Sequence, residues 1–292
     1  MVFCFVLCSL IRTFDLRRRY FRSTIKTKKM FFCFVLCSLI RTFARAMTHI
    51  TNYLARTGFA SLCPRAVLFD MDGVCYDSMP YHAIAWQQSM AHYGLTMTAA
   101  DAYATEGARG IDTVRNLVKE QRGEDITLEK AQEIYDLKSR IFHDMKPLPP
   151  IMPGIPELMA QIHDCGLSIG IVTGSGQRPL ISRLMNDFGE YLTEEHIVTA
   201  YDVERGKPAP DPYLMGLKMM GGLQPWEAIV VENAPLGVAA AVAAQCFTIA
   251  VNTGPLPDEV LLSQGADIIF PKMTNLSKAW KEMYETMLKI ED

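Results

Sequence analysis

The four cysteines of residues 61–292, Cys63, Cys75, Cys165 and Cys246, are scattered singly, with no Cys-x-x-Cys or other zinc-ligand spacing. That absence excludes a zinc finger or ribbon and leaves free thiols, the pattern of a reducing compartment, so a cytoplasmic location is expected. No apolar run reaches the roughly 20 residues that a membrane-spanning helix needs, so no stable membrane span is expected. Positive charge is scarce as well: residues 61–292 carry 18 Lys and Arg against 31 Asp and Glu, a balance of −13. Affinity for nucleic acid rests on an excess of Lys and Arg that neutralises phosphates, so a nucleic-acid partner is excluded. What remains is ordinary globular composition, 49% apolar and 21% charged over 292 residues, sufficient for a sizeable core.

Residues 1–60 are of another kind, with 11 Lys and Arg against one acid. Met1–Phe14 (MVFCFVLCSLIRTF) returns as Met30–Phe43 (MFFCFVLCSLIRTF), differing only at Val2 against Phe31. Each apolar segment runs about ten residues before an Arg, about half of a membrane span. A basic region, a short apolar region and Ala44-x-Ala46 have the outline of a secretion signal, against which Arg41 and Arg45 speak. The expectation is that residues 1–60 are a duplicated extension without function, with translation beginning naturally at Met47; a membrane-surface anchor or signal is the alternative.

The organising stretch is Ala66-Val67-Leu68-Phe69-Asp70-Met71-Asp72-Gly73-Val74. A short apolar run has the character of a buried parallel strand and ends in two carboxylates. Alternate residues of an extended segment point the same way, so Asp70 and Asp72 address one small volume, where a divalent cation would offset their repulsion. Magnesium suits a site that keeps waters and also holds a phosphate.

From Pro80 to about Lys146 the pattern is helical, over Pro80–Tyr93, Ile111–Arg122 and Leu128–Met145, with no convincing strand. Beyond Pro153-Gly154, helices alternate with apolar strands at Leu167–Thr173, His196–Ala200, Ala228–Glu232, Phe247–Val251 and Asp267–Phe270. Alternation implies an α/β fold, a doubly wound parallel sheet with helices on both faces, into which the helical block is inserted as a cap. The expected division is residues 64–79 and 147–292 for the core and 80–146 for the cap. Ligands of such sheets bind at the carboxyl ends of the strands.

Three further strand ends fit one chemistry. Ile171-Val172-Thr173-Gly174-Ser175-Gly176 offers the Thr173 hydroxyl and a glycine-flanked turn, with Gly174 and Ser175 presenting main-chain N–H groups to an oxyanion. Gly206-Lys207-Pro208-Ala209-Pro210-Asp211-Pro212 mounts a point charge, Lys207, on a proline-stiffened backbone. Ile229-Val230-Val231-Glu232-Asn233 again ends in oxygen ligands, Glu232 to complete a cation site with Asp70 and Asp72, and Asn233 through a neutral amide.

In this order the motifs resemble the haloacid dehalogenase superfamily of phosphotransferases, over about Pro64 to Trp280, and within it the beta-phosphoglucomutase-like branch. The resemblance implies a Rossmann-like core with a helical cap, Asp70 as nucleophile, Asp72 as general acid/base, Thr173 and Lys207 as stabilisers of the phosphoryl group, and Glu232 with Asn233 at the metal end. His82, Trp86, Arg109 and Lys138 would line the cap side and choose the substrate. Two departures stand out: many relatives have Asp where Asn233 stands, and Arg109 is one place from its position in the mutase pattern. The implied activity is a magnesium-dependent phosphatase acting on small sugar or polyol phosphates through an aspartyl-phosphate, with beta-phosphoglucomutase as the alternative and a catalytically silent phosphosugar-binding module as a third reading. The expected partner is a small phosphorylated metabolite and the expected state a monomer.

Overall fold

The computed structural model describes residues 47–175 and 178–288. The duplicated segment and Gly176 lie outside these residues. A first helix, α1 (47–57), leads to β1 (Ala66–Phe69), after which come α2 (Met79–His92), α3 (Ala99–Ala104), α4 (Gly110–Arg122) and α5 (Leu128–Asp144). The alternating part follows: α6 (Ile155–Asp164), β2 (Ser168–Val172), α7 (Arg178–Phe188), β3 (Ile197–Val198), α8 (Asp211–Met219), β4 (Ala228–Glu232), α9 (Pro235–Ala243), β5 (Phe247–Val251), α10 (Asp258–Ser263), β6 (Ile268–Phe270) and α11 (Met273–Leu288).

All six strands pair in parallel, in the order β3-β2-β1-β4-β5-β6. The central strand is β1, the first in the chain, because its four residues (AVLF) are apolar and wholly buried and so need helices on both faces. Alternation along the strands sends Val67, Phe69, Ile169, Ile171, Ile229 and Val231 into one core cluster and Ala66, Leu68, Val172, Ala228 and Val230 into the other. At about 25 cal/mol per Å² of apolar surface removed from water, these two layers supply the main favourable term of folding.

The helices between β1 and α6 form their own cluster, in which Ala83, Trp86 and Met90 of α2 meet Val114 and Val118 of α4 and Ala131 and Ile134 of α5. Short polar devices delimit them. Thr98 and Asp101 form a reciprocal capping box at α3, Thr127 caps α5 through the Lys130 N–H, and Gly123 ends α4 in the left-handed region.

One boundary differs from expectation. Residues 47–57 are part of the globular body: Ile50 and Tyr53 of α1 are buried in the main cluster, the Tyr53 hydroxyl donates to Gln245 O at 3.0 Å, and Arg56 pairs with Asp267 at 3.0 Å. Tyr53 also meets the edge of Phe247, with ring centroids 5.4 Å apart. Charge counting placed this helix with the leader because Arg56 adds to the basic total, whereas its partner Asp267 lies 211 residues away. The strand expected at His196–Ala200 is a two-residue edge strand preceded by a 3-10 turn at Glu194–His196.

Candidate active site

Sheet register sets the site. Phe69 is level with Ile171 and Val231, so the next residue along each strand, Asp70, Val172 and Glu232, forms one row at the carboxyl ends. Asp70 is tied in by its N–H, which donates to Val231 O at 3.0 Å. Into this row the Lys207 ammonium inserts from the loop before α8, donating to Asp70 Oδ1 at 2.5 Å, Glu232 Oε1 at 2.7 Å and Val172 O at 3.0 Å. The Lys207 and Glu232 side chains are fully buried. Burial opposes the charge on Lys207, but Asp70 and Glu232 outweigh it and hold the ammonium firmly protonated.

Glu232 is occupied on both oxygens. Oε1 accepts from Lys207 and from the Tyr213 hydroxyl at 2.7 Å, and Oε2 accepts from the N–H groups of Asn233 at 2.9 Å and Ala234 at 3.1 Å. Gly237 makes room for it, since a Cβ there would lie 1.8 Å from Oε1. In this arrangement Glu232 anchors Lys207, which corrects its expected place among the cation ligands: a carboxylate with four donors already on it has no open side.

Asp72 faces the cap. Ser78 Oγ donates to its Oδ1 at 2.6 Å, and His82 Nε2 lies 3.0 Å from the same oxygen. Burial would raise the Asp72 carboxyl, but His82, Ser78 and Lys138 together bring it down to about 2. The Lys138 ammonium lies 2.6 Å from His82 Nδ1, and its charge sits near the faces of Trp86, Tyr135 and Phe142, with centroid distances of 5.1, 5.8 and 5.3 Å. Burial lowers Lys138 to about 8, and burial together with Lys138 lowers His82. An ammonium donating to Nδ1 fixes the tautomer of the neutral imidazole with its proton on Nε2, which lies 3.0 Å from Asp72 Oδ1 but is not aligned for a hydrogen bond to it.

Across from Asp72, Glu106 of the cap meets Asn233 of the core: Asn233 Nδ2 donates to Glu106 Oε2 at 3.3 Å. The other oxygen of each pair, Glu106 Oε1 and Asn233 Oδ1, is buried without a partner. Burial, then Asp70, Asp72 and Glu232, push the Glu106 carboxyl well above its ordinary range. Burial likewise raises Asp70 to about 8 despite Lys207. The group is therefore short of positive charge and holds two orphaned hard oxygens, which fits a small divalent cation. Among the described residues no three His, Cys, Asp or Glu side chains converge into a closed cage. Such a cation would need amide or main-chain oxygens and waters besides, as magnesium does.

Asp70, Asp72, His82, Trp86, Glu106, Lys138, Gly174 and Ser175 line one cavity of about 60 Å³. Two of its lining glycines bring backbones close together, since a Cβ on Gly174 would lie 2.7 Å from Gly107 O. Thr173 is buried beside it, its Oγ1 accepting from the Ser175 N–H at 3.0 Å. Arg109 does not line the cavity. Its Nη1 donates to Glu204 O at 2.6 Å and its Nε to Asp112 Oδ2 at 2.8 Å, so the guanidinium joins the cap to the core loop that carries Lys207. This corrects its expected place among the substrate-facing residues: Asp112, three residues on along α4, captures the guanidinium fork.

The sequence profile of the haloacid dehalogenase-like hydrolases matches residues 67–251. The chain belongs to that family. The hydrolase is 34% identical to hexitol phosphatase A of Escherichia coli over 188 residues, 64% of this chain and 83% of the relative. It is 26% identical to the beta-phosphoglucomutase of Bacillus subtilis over 220 residues, 73% and 92% of the two chains. A solved structure of a candidate beta-phosphoglucomutase from Bacteroides vulgatus superposes with a TM-score of 0.80 at 44% identity, covering 84% of this chain and 98% of that one.

Sequence reasoning missed two residues of the hydrolase's cavity and its support. Glu106 stands in the turn between α3 and α4, and an acid beside Gly107 in a turn reads as solvated. Only the docking of that turn on Gly174 and Asn233 buries it. Tyr213 sits in the first turn of α8, where an aromatic reads as packing; its hydroxyl gains meaning only once β4 brings Glu232 to it. Among the described residues no helix is long and apolar enough to cross a membrane.

Proposed function

We propose that this hydrolase is a magnesium-dependent phosphatase of small sugar or polyol phosphate monoesters, working through an aspartyl-phosphate on Asp70, with residues 80–146 as the cap over the core. The single observation that carries the reading is the 2.5 Å contact of Lys207 Nζ with Asp70 Oδ1, on the same small cavity that Asp72 enters from the cap side. Asp70 attacks phosphorus in line; the P–O bond to the alcohol breaks, and Asp72, ionised in the resting site, relays to the departing oxygen the proton that the ester monoanion brings in. Asp72 then takes a proton from water, whose oxygen displaces Asp70 and releases inorganic phosphate. Lys207 offsets charge on the phosphoryl oxygens, and the Thr173 hydroxyl, oriented by the Ser175 N–H, adds a donor together with the Gly174 N–H. Asp70, Asp72, Asn233 and Glu106 would hold the magnesium ion. When bound it would supply charge neutralisation to the phosphoryl oxygens.

Hydrolysis is favoured over the mutase reading because the cap offers no free guanidinium to the cavity: Arg109 is turned to Glu204 and Asp112. Without it the cation on the cap side of the cavity among the described residues is Lys138, which is engaged with His82 Nδ1 and offers no bidentate hold on a second phosphate. The likeness to hexitol phosphatase A and beta-phosphoglucomutase supports this substrate class. Phosphorus NMR with beta-glucose 1-phosphate, with a panel of polyol phosphates beside it, tests the proposal. Inorganic phosphate is expected; glucose 6-phosphate would show a mutase, and no turnover with magnesium present would show a silent binding module. Asp70→Asn is expected to abolish turnover, and a fully active variant refutes the nucleophile assignment.

A further inference from the structure

The proton count around Lys207 leaves one group unexplained by the reaction. An ammonium has three N–H bonds, and all three are assigned: Asp70 Oδ1, Glu232 Oε1 and Val172 O. Glu232 also receives two main-chain N–H groups, which fix its orientation. The Tyr213 hydroxyl adds a further donor to Oε1, the same oxygen that Lys207 uses, at the same 2.7 Å. Tyr213 and Glu232 are both wholly buried, so no solvent stands by to replace a lost donor. The Tyr213 ring also lies behind the ammonium, with its centroid 5.1 Å from Nζ.

Two carboxylates compete for Lys207, one of them the proposed nucleophile. A neutral donor on Glu232 Oε1 draws off part of that oxygen's charge and weakens its hold on the ammonium. We propose that Tyr213 is a positioning residue for Lys207: by donating to Glu232 it keeps the ammonium directed at Asp70 and at the phosphoryl group transferred there. Removing the hydroxyl leaves Oε1 to Lys207 alone, and the ammonium settles toward Glu232. This inference rests on Asp70 as the attacking group, and its test keeps the two apart.

Steady-state kinetics on a phosphate ester are compared for the wild type, Asp70→Asn, Tyr213→Phe, Glu232→Gln and the double variant Tyr213→Phe/Glu232→Gln. Phenylalanine retains the ring and its packing. A hydrogen bond to a charged group corresponds to about tenfold in rate, so kcat of Tyr213→Phe is expected to fall about tenfold, with KM held within about twofold. In the Glu232→Gln background, where the carboxylate is gone, the same change should move kcat by less than about twofold. A wild-type kcat for Tyr213→Phe, a loss that falls on KM instead, or an undiminished loss in the Glu232→Gln background overturns the proposal. If those results came while Asp70→Asn was inactive, the positioning role alone would fail; an active Asp70→Asn would fail the underlying mechanism. Should Tyr213→Phe not fold, the wild-type proton spectrum decides: a slowly exchanging downfield hydroxyl proton, lost in Glu232→Gln, is expected, and its absence from the wild type overturns the proposal.

Discussion

Gly73→Ala perturbs the site at the point where the acidic loop and the end of β4 touch. Gly73 has φ +82°, and a Cβ built on it would lie 2.1 Å from Asn233 Nδ2, 2.9 Å from Asn233 Cγ and 3.2 Å from Met79 Cγ. Two effects add. Holding alanine in the left-handed region costs about 1 kcal/mol. The contact with the Asn233 amide then forces that side chain to yield by about 1 Å, which breaks its bond to buried Glu106 for about another 1–2 kcal/mol. Gly166→Ala separates the two, because Gly166 has φ +75° with nothing within 4 Å and so carries the backbone effect alone. Urea denaturation should therefore give a loss of about 1 kcal/mol for Gly166→Ala and about 2–3 kcal/mol for Gly73→Ala, roughly 5–10 °C in Tm for the latter. Magnesium titration of activity should shift only in Gly73→Ala, since that variant displaces the Asn233 oxygen. Equal stability losses in the two variants, or an unchanged magnesium requirement in Gly73→Ala, would refute the argument.

Further outcomes follow from the same geometry. Glu106→Gln is expected to retain the fold, because the amide has the shape of the carboxyl and can still accept from Asn233 Nδ2. The concentration of magnesium for half-maximal activity should nevertheless rise about tenfold, as expected for loss of a supporting ligand; a curve that superimposes on the wild type would remove Glu106 from the site. In the wild type, burial and three nearby acids favour the protonated form of Glu106, so a cation binding there is expected to release protons, acidify a weakly buffered solution and bind more tightly as pH rises. Calorimetry in buffers of different ionisation enthalpy checks this, and a proton count of zero in the wild type argues against it. Lys138→Met fills the space among Trp86, Tyr135 and Phe142 with an apolar chain and removes the cation from His82 Nδ1; kcat should fall about 100-fold, as for disturbed general acid–base catalysis, while circular dichroism is unchanged. Wild-type kcat in that folded variant would show that His82 needs no partner to serve Asp72.

Much of the architecture could be read from local pattern. Parallel strands buried on both faces must be continuous apolar runs, so AVLF, AIVVE and FTIAV announced themselves. The helical block was equally legible from its lack of strands and its caps, whereas the central place of β1 emerged only from the strand order. Four helices, α1, α3, α10 and α11, went unread: α3 and α10 are six residues long, too short for a periodic signal, and α1 was masked by the basic segment before it.

The sequence by itself determined which chemical groups are available and that they sit at strand ends, because alternation and turn chemistry act over a few residues. Asp70, Lys207 and Glu232 were each visible in this way, and the sheet register then levelled them. Only the tertiary structure decided what each group has left to offer. Glu232 is consumed by four donors, Arg109 is captured by Asp112 and Glu204 O, and Glu106 becomes a buried, half-satisfied acid. The physical reason is that hydrogen-bond capacity and desolvation belong to a side chain's surroundings, and those surroundings include distant segments, Asn233 lying 127 residues from Glu106.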